Sequence, residues 1–192
     1  MKWYQLDIDT VTPEEYARAY ALLAPEEQER VDRFRFADDK KRTLAGMILA
    51  RRGLSIHCGI PEEGIVFERE ELGKPFAPGL AAEFSVSHSG SLAVCALDDA
   101  PIGIDIEQLR PVSPQVARRI CTDEELAWLA LSPDDAQWLQ RFFRLWTGKE
   151  ACAKRDGLGI ANLQHYRPLE TPGILYETLG DYILCICSTP GR

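Results

Sequence analysis

Pro101-Ile102-Gly103-Ile104-Asp105-Ile106-Glu107 alternates without a break. Ile102, Ile104 and Ile106 fall on one face of an extended strand, and Gly103, Asp105 and Glu107 fall on the other. Three β-branched residues in alternation favour a strand. The isoleucine face belongs in a core, so two carboxylates project side by side from the opposite face, where they repel. A divalent cation would remove that repulsion. Oxygen ligands on a rigid strand suit Mg²⁺, which takes one or two carboxylates together with substrate phosphates. By itself the stretch also fits an edge strand with a solvated acidic face.

The 192 residues suffice for a substantial core, as one domain or two small lobes. With 45% hydrophobic and 27% charged residues the chain reads as soluble and globular. No apolar run approaches the ~20 residues of a membrane span, and Met1-Lys2-Trp3-Tyr4 leads into an alternating acidic segment rather than a signal peptide. None of the six cysteines makes a C-x-x-C pair, and most lie in apolar runs. Such usage points to buried thiols in a reducing compartment, hence to the cytoplasm, rather than to disulfides or zinc. The net charge of −8 argues against a nucleic-acid partner. There are 12 basic and 16 acidic residues before residue 96, and 10 and 14 after it, so neither half is basic. Any anion site must be a local cluster.

Upstream of the central strand, Trp3 to Ile8 alternates, and Thr12-Pro13-Glu14-Glu15 is a capping box that opens a helix to about Leu23. Ala24-Pro25 starts a second helix. A long amphipathic helix follows Asp38, with Leu44, Met47, Ile48 and Leu54 at helical spacing and an end near Gly53 or Gly59. Lys40, Lys41 and Arg42 form the densest basic cluster, which a solvated helix start also explains. Ile65-Val66-Phe67 reads as a short strand, and Gly73-Lys74-Pro75 as a turn. Phe84, Val86 and His88 alternate with Ser85, Ser87 and Ser89 up to Gly90, and Leu92 to Leu97 is an apolar strand.

Downstream, Ser113-Pro114 caps a helix through Ile120. Thr122-Asp123-Glu124-Glu125 is a second capping box, and Ser132 to Asp135 opens a long helix through Lys154. Ile174 to Leu179, Gly180-Asp181 and Tyr182 to Cys187 form a hairpin. Each half therefore runs strand, short helices, long helix, strands. The expected fold is α+β, with two similar lobes in a pseudo-twofold arrangement, each a small mainly antiparallel sheet on a long helix. The lobes are placed at residues 1–100 and 101–192, with a ligand cleft between them.

Phe142, Trp146, Glu150 and Lys154 recur every four residues and form one row on the long second helix. The row starts apolar, so Glu150 lies near a buried edge and needs a partner. Lys154 could supply it as a helix ion pair worth ~0.3–0.5 kcal/mol. Alternatively Glu150 is a third oxygen ligand facing Asp105 and Glu107, with Lys154 turned to an anionic substrate.

In order, Gly73-Lys74-Pro75, Phe84-Ser-x-Ser-His-Ser-Gly90, the strand D-x-E and Trp146-x-x-Lys149-Glu150-Ala151-x-x-Lys154 resemble the 4′-phosphopantetheinyl transferases. The type resembled is the large two-lobe one, which primes peptidyl and acyl carrier proteins. The match runs from Ala24-Pro25 through Lys154. The resemblance implies transfer of the phosphopantetheine arm of coenzyme A to a carrier-protein serine, with release of 3′,5′-ADP and dependence on Mg²⁺ or Mn²⁺. It implies Asp105, Glu107 and Glu150 as metal ligands and Gly73, Lys74 and Pro75 as the adenine turn. Ser87 and His88 would contact phosphates, and Arg30, Arg42 and Lys154 would surround the 3′-phosphate and pyrophosphate. The first lobe then holds coenzyme A, and the second holds the carboxylates and faces the carrier. Two departures stand out. Glu27 replaces a lysine of close relatives, which weakens the expected 3′-phosphate clamp unless Lys40 or Lys41 substitutes. The chain is also short after the last hairpin, so a C-terminal extension is expected to be missing.

The chemistry is coherent on its own terms. Transfer from a pyrophosphate requires neutralisation of the leaving phosphate. Three carboxylates would hold the metal, and Arg42, His88 and Lys154 would add donors. Glu150, or a metal-bound water beside it, would take the serine proton, with Asp105 and Lys154 completing the catalytic set. A protein of the same fold that binds coenzyme A without catalysis is the alternative, and the intact Asp105, Glu107, Glu150 and Lys154 argue against it. An unrelated phosphoryl transferase would carry a G-x-x-x-x-G-K-[ST] loop, which is lacking. After Glu107, Arg110, Arg118 and Arg119 with an apolar strip of Val112, Val116 and Ile120 form the candidate carrier surface. The protein is expected to be a monomer.

Overall fold

A computed structural model describes residues 1–159 and 163–189. The first lobe comprises β1 (Lys2–Asp7), α1 (Pro13–Ala21), α2 (Pro25–Asp32), α3 (Ala37–Cys58), β2 (Glu68–Arg69), β3 (Pro75–Phe76), β4 (Glu83–Ser89) and β5 (Leu92–Asp98). The second comprises β6 (Ile102–Gln108), α4 (Pro114–Ile120), α5 (Asp123–Ala130), α6 (Asp135–Asp156), β7 (Ile174–Leu179) and β8 (Tyr182–Ser188). One antiparallel sheet has the order β1-β5-β4 and the other β6-β8-β7, with β2 and β3 forming a separate hairpin. In each large sheet the first strand of the lobe pairs with the third. The topology is thus used twice, each time with a helix of 22 residues, α3 or α6.

Local chemistry sets the helix ends. Thr12 with Glu15, and Thr122 with Glu125, form the expected capping boxes, and the Asp134 carboxylate caps α6. In the first lobe Leu44, Ile48 and Leu54 of α3 share a core with Phe84, Cys95 and Leu97. In the second, Phe142 and Phe143 of α6 pack with Leu129 and Ile183; each such aromatic contributes on the order of 1.5–3 kcal/mol through burial. A third core joins the lobes, made by Val94 and Ala96, Ile102, Ile104 and Ile106, and Leu184 and Ile186.

Two local expectations change. The long first helix is not simply amphipathic: residues 44–51 are all buried, and Gly53 lies inside it. A Cβ at Gly53 would lie 2.7 Å from Leu97 Cδ1, so glycine there serves helix–sheet packing, and Gly59 is the cap. Ile65-Val66-Phe67 is not a strand, although Ile65 and Phe67 are buried. The Ile65 carbonyl accepts from the Arg51 guanidinium, and pairing begins only at Glu68–Arg69. All six cysteines are free thiols, five of them buried. Among the described residues no helix is long and apolar enough to cross a membrane.

Candidate active site

Gly103 brings the two key elements together. A Cβ at this position would fall 1.9 Å from the Ala151 carbonyl oxygen, so only glycine lets α6 lie this close on β6. Glu150 and Lys154 flank that contact and are carried to Asp105, two residues along the strand. The acidic face is therefore covered by a helix rather than by solvent, and Asp105 is only 2% exposed.

The serines of β4 meet β6 along the seam between the sheets. Ser85 Oγ accepts from the Ile104 amide at 3.1 Å, and Ser89 Oγ accepts from the Gln108 amide at 3.1 Å. Ser87 donates to Asp105 Oδ1 at 2.7 Å, and Ser89 donates to Glu107 Oε2 at 2.8 Å. Hydroxyls here stand in for ladder carbonyls and also orient the carboxylates.

Lys154 Nζ lies 2.7 Å from Asp105 Oδ1. The lysine thus pairs across elements with Asp105, and the i,i+4 bridge to Glu150 weighed from sequence does not form. Asp105 Oδ2 is buried with no hydrogen-bond partner among the described residues. Burial pushes the Asp105 carboxyl up, opposed by Lys154 and by the Ser87 hydrogen bond. Burial, then the charge of Asp105, pushes Glu150 up to about 8, with Lys154 opposing. Burial first, then the charges of Lys154 and Arg42, hold His88 below its ordinary value. His88 is exposed to solvent.

Whether these residues suit a divalent cation can be judged from the donors. An unpartnered buried carboxylate oxygen beside a second carboxyl driven towards neutrality is the arrangement a hard cation relieves. Asp105 and Glu150 therefore fit Mg²⁺. Glu107 is engaged elsewhere, since its Oε2 also takes Arg110 Nη1 at 2.6 Å. Among the described residues no group of three acidic, histidine or cysteine side chains closes on one point.

Beside this acidic pair lies a cavity of about 530 Å³ between the lobes, a size common for small-molecule sites. It brings together Arg30, Gly73, Lys74, Pro75, His88 and Lys154, six of the residues singled out in the sequence. Gly73, at φ +89°, makes the turn before β3 that presents Lys74 and Pro75. Lys74 Nζ lies 3.4 Å from both Glu83 Oε2 and the Arg155 carbonyl, bridging the lobes. Ser87 and Arg42 are not on the cavity wall. Ser87 faces Asp105, and Arg42 donates to the Gly90 carbonyl at 3.0 Å and pairs with Asp39 at 2.6 Å.

Sequence reasoning passed over Arg69, Thr43 and Met47, which also line the cavity. It passed over the role of Lys149 too: fully buried, it pairs with Glu125 at 2.8 Å and donates to the Tyr166 carbonyl at 2.7 Å. The alternating serines were the one available signal for the seam; the long-range pairs left none.

Residues 10–99 match a family described as 4′-phosphopantetheinyl transferase, N-terminal, and residues 101–183 match the 4′-phosphopantetheinyl transferase superfamily. The 4′-phosphopantetheinyl transferase Sfp of Bacillus subtilis is 37% identical over 163 residues, covering 84% of this chain and 72% of its own. The 4′-phosphopantetheinyl transferase HetI of a Nostoc species is 38% identical over 159 residues, covering 79% and 67%. An L-aminoadipate-semialdehyde dehydrogenase-phosphopantetheinyl transferase of Xenopus laevis is 34% identical, covering 74% and 52%. The two-lobe fold and these similarities define a transferase. The chain belongs to the 4′-phosphopantetheinyl transferase family.

Proposed function

We propose that the protein transfers the 4′-phosphopantetheine arm of coenzyme A to a serine of an acyl or peptidyl carrier protein, leaving 3′,5′-ADP. The observation that carries this reading is the cavity lined by Arg30, Lys74, His88 and Lys154, which opens beside buried Asp105 and half-buried Glu150. Residues 1–100 form the coenzyme A lobe, and residues 101–192 carry the carboxylates and the carrier side. Asp105, Glu150 and, once free of Arg110, Glu107 would hold Mg²⁺, which would supply neutralisation of the pyrophosphate charge.

The chain's own groups do the rest. The Gly73–Pro75 turn and Arg30 position the nucleotide end, while His88 donates a hydrogen bond to a phosphate oxygen. Ser87 keeps Asp105 oriented, and Arg42 holds the Gly90 turn behind His88. Lys154, released from Asp105, supports charge on the leaving phosphate. Glu150 is the group that takes the proton of the incoming serine.

The carrier docks beside Glu107, where Arg110, Val112, Val116, Phe142 and Trp146 line a hollow of about 230 Å³ and Arg118 and Arg119 stand exposed. Ile120, expected in the docking strip, is instead core. We place the protein in the cytoplasm as a monomer, without nucleic-acid or membrane partners.

The test incubates the protein with coenzyme A, Mg²⁺ and an apo carrier protein. Intact-mass measurement should find the carrier heavier by one phosphopantetheine arm. An unmodified panel of acyl and peptidyl carriers, with coenzyme A still bound, would favour the non-catalytic alternative.

A further inference from the structure

Glu27 pairs with Arg69 of the cation-lined cavity, and a carboxylate so near that wall should work against an anionic ligand. The structure accounts for its charge. Arg69 Nε and Nη2 reach Glu27 Oε1 and Oε2 at 2.6 and 2.7 Å, a two-pronged pair, and Arg69 Nη1 donates to the Gly73 carbonyl at 2.7 Å. Both side chains are mostly covered, 23% and 15% exposed. Such forked pairs are among the strongest charge-assisted contacts.

Two consequences follow for the cavity. The hairpin of β2 and β3 has only two residues per strand, too few to hold itself against water. Arg69 ties its turn, and with it Lys74 and Pro75, to α2. Secondly, Glu27 and Arg30 are three residues apart on α2, the spacing at which a carboxylate and a guanidinium pair along a helix. Arg30 nevertheless has no ion pair or hydrogen bond among the described residues and contributes to the cavity wall. The fork with Arg69 occupies the carboxylate that would otherwise take it.

We propose that Arg69 is a positioning residue for ligand binding: by engaging Glu27 and the Gly73 carbonyl, it keeps Arg30 free to meet a phosphate in the cavity. The proposal rests on the transferase reading only in taking that phosphate to belong to coenzyme A. It implies that Glu27 causes no loss of affinity while Arg69 is present.

The test uses Arg69→Gln, Arg30→Gln, Glu27→Gln/Arg69→Gln and Arg30→Gln/Arg69→Gln in the full chain. KM is measured for coenzyme A and for the carrier, and Kd for 3′,5′-ADP. Arg69→Gln should raise KM for coenzyme A about tenfold, the loss of one charged phosphate contact. kcat and KM for the carrier should stay close to wild type. Glu27→Gln/Arg69→Gln should restore most of the loss, because the bared carboxylate is the harmful group. Arg30→Gln/Arg69→Gln should lose clearly less than the sum of the two single losses, because Arg69 acts chiefly through Arg30. An unchanged KM in Arg69→Gln, no rescue, or additive losses would each overturn the proposal. Removing both charges of the fork leaves no buried orphan, so the rescue variant keeps its fold. Wild-type turnover, measured first, decides the transferase reading separately; without turnover, the same ratios are read from Kd for 3′,5′-ADP.

Discussion

Gly103 lies directly beneath Ala151, with room for a hydrogen and none for a methyl group. This contact joins β6 to α6 and sets the separation of Asp105 from Glu150 and Lys154. Gly103→Ala places a carbon against backbone rather than against a movable side chain. It should destabilise by about 3 kcal/mol or more and abolish transfer. Denaturant unfolding, with activity measured at a temperature where the variant remains folded, checks both. Retained activity at wild-type stability would mean that α6 can lift without consequence.

Asp105→Asn should keep the fold and lose transfer. The amide preserves shape and can still receive the Ser87 hydroxyl, but it no longer pairs with the Lys154 ammonium or attracts a cation. Activity is followed against Mg²⁺ concentration, with thermal unfolding as control. Wild-type turnover that survives exhaustive chelation would remove the metal from the reading.

The titration of Glu150 has a sign that can be checked without metal. Its carboxyl rises from an ordinary 4.5 to about 8 in the folded protein. The folded state therefore binds more protons than the unfolded state between those values, and unfolding free energy falls as pH rises across that window. In chelator, wild-type protein should be more stable at pH 5 than at pH 8. Glu150→Gln should flatten that slope, and adding Mg²⁺ should reverse part of it at pH 8. Urea midpoints across the pH series decide the matter; identical slopes for wild type and Glu150→Gln would place Glu150 in water.

Lys149 neighbours Glu150 in sequence but serves the fold. Lys149→Ala strands Glu125 in the second lobe's interior and should cost about 3–5 kcal/mol. Replacing Lys149 by Met and Glu125 by Gln, which can still accept from the Thr122 amide, should recover part of that stability. A double variant no more stable than Lys149→Ala would show that the pair is worth more than its desolvation.

The carrier surface is tested by reversing charge. Arg118→Glu with Arg119→Glu should raise KM for the carrier several-fold and leave KM for coenzyme A nearly unchanged. Both side chains are exposed and away from the cavity wall, so stability should hardly move. An unchanged carrier constant would place docking elsewhere.

Much of this protein was legible in order of residues alone. Alternation at residues 102–107 and 84–89, capping at Thr12, Thr122 and Asp134, and the four-residue row from Phe142 to Lys154 are local patterns. A backbone with a period of two or 3.6 residues turns such patterns directly into faces. The doubled architecture followed from the repeated order of elements, and the resemblance to the transferase family rested on motifs short enough to survive as strings. What the alternation could not say is what covers a face. Only the packed structure placed α6 over Gly103, turned Lys154 to Asp105 instead of Glu150, gave Arg110 to Glu107, and set Ser87 against a carboxylate. Arg69 and Glu27 are 42 residues apart, and nothing periodic links them. The local chain dictates which side chains share a face. Which opposite charge each one meets is decided by distances that exist only after the lobes close, when burial makes every unpaired charge costly.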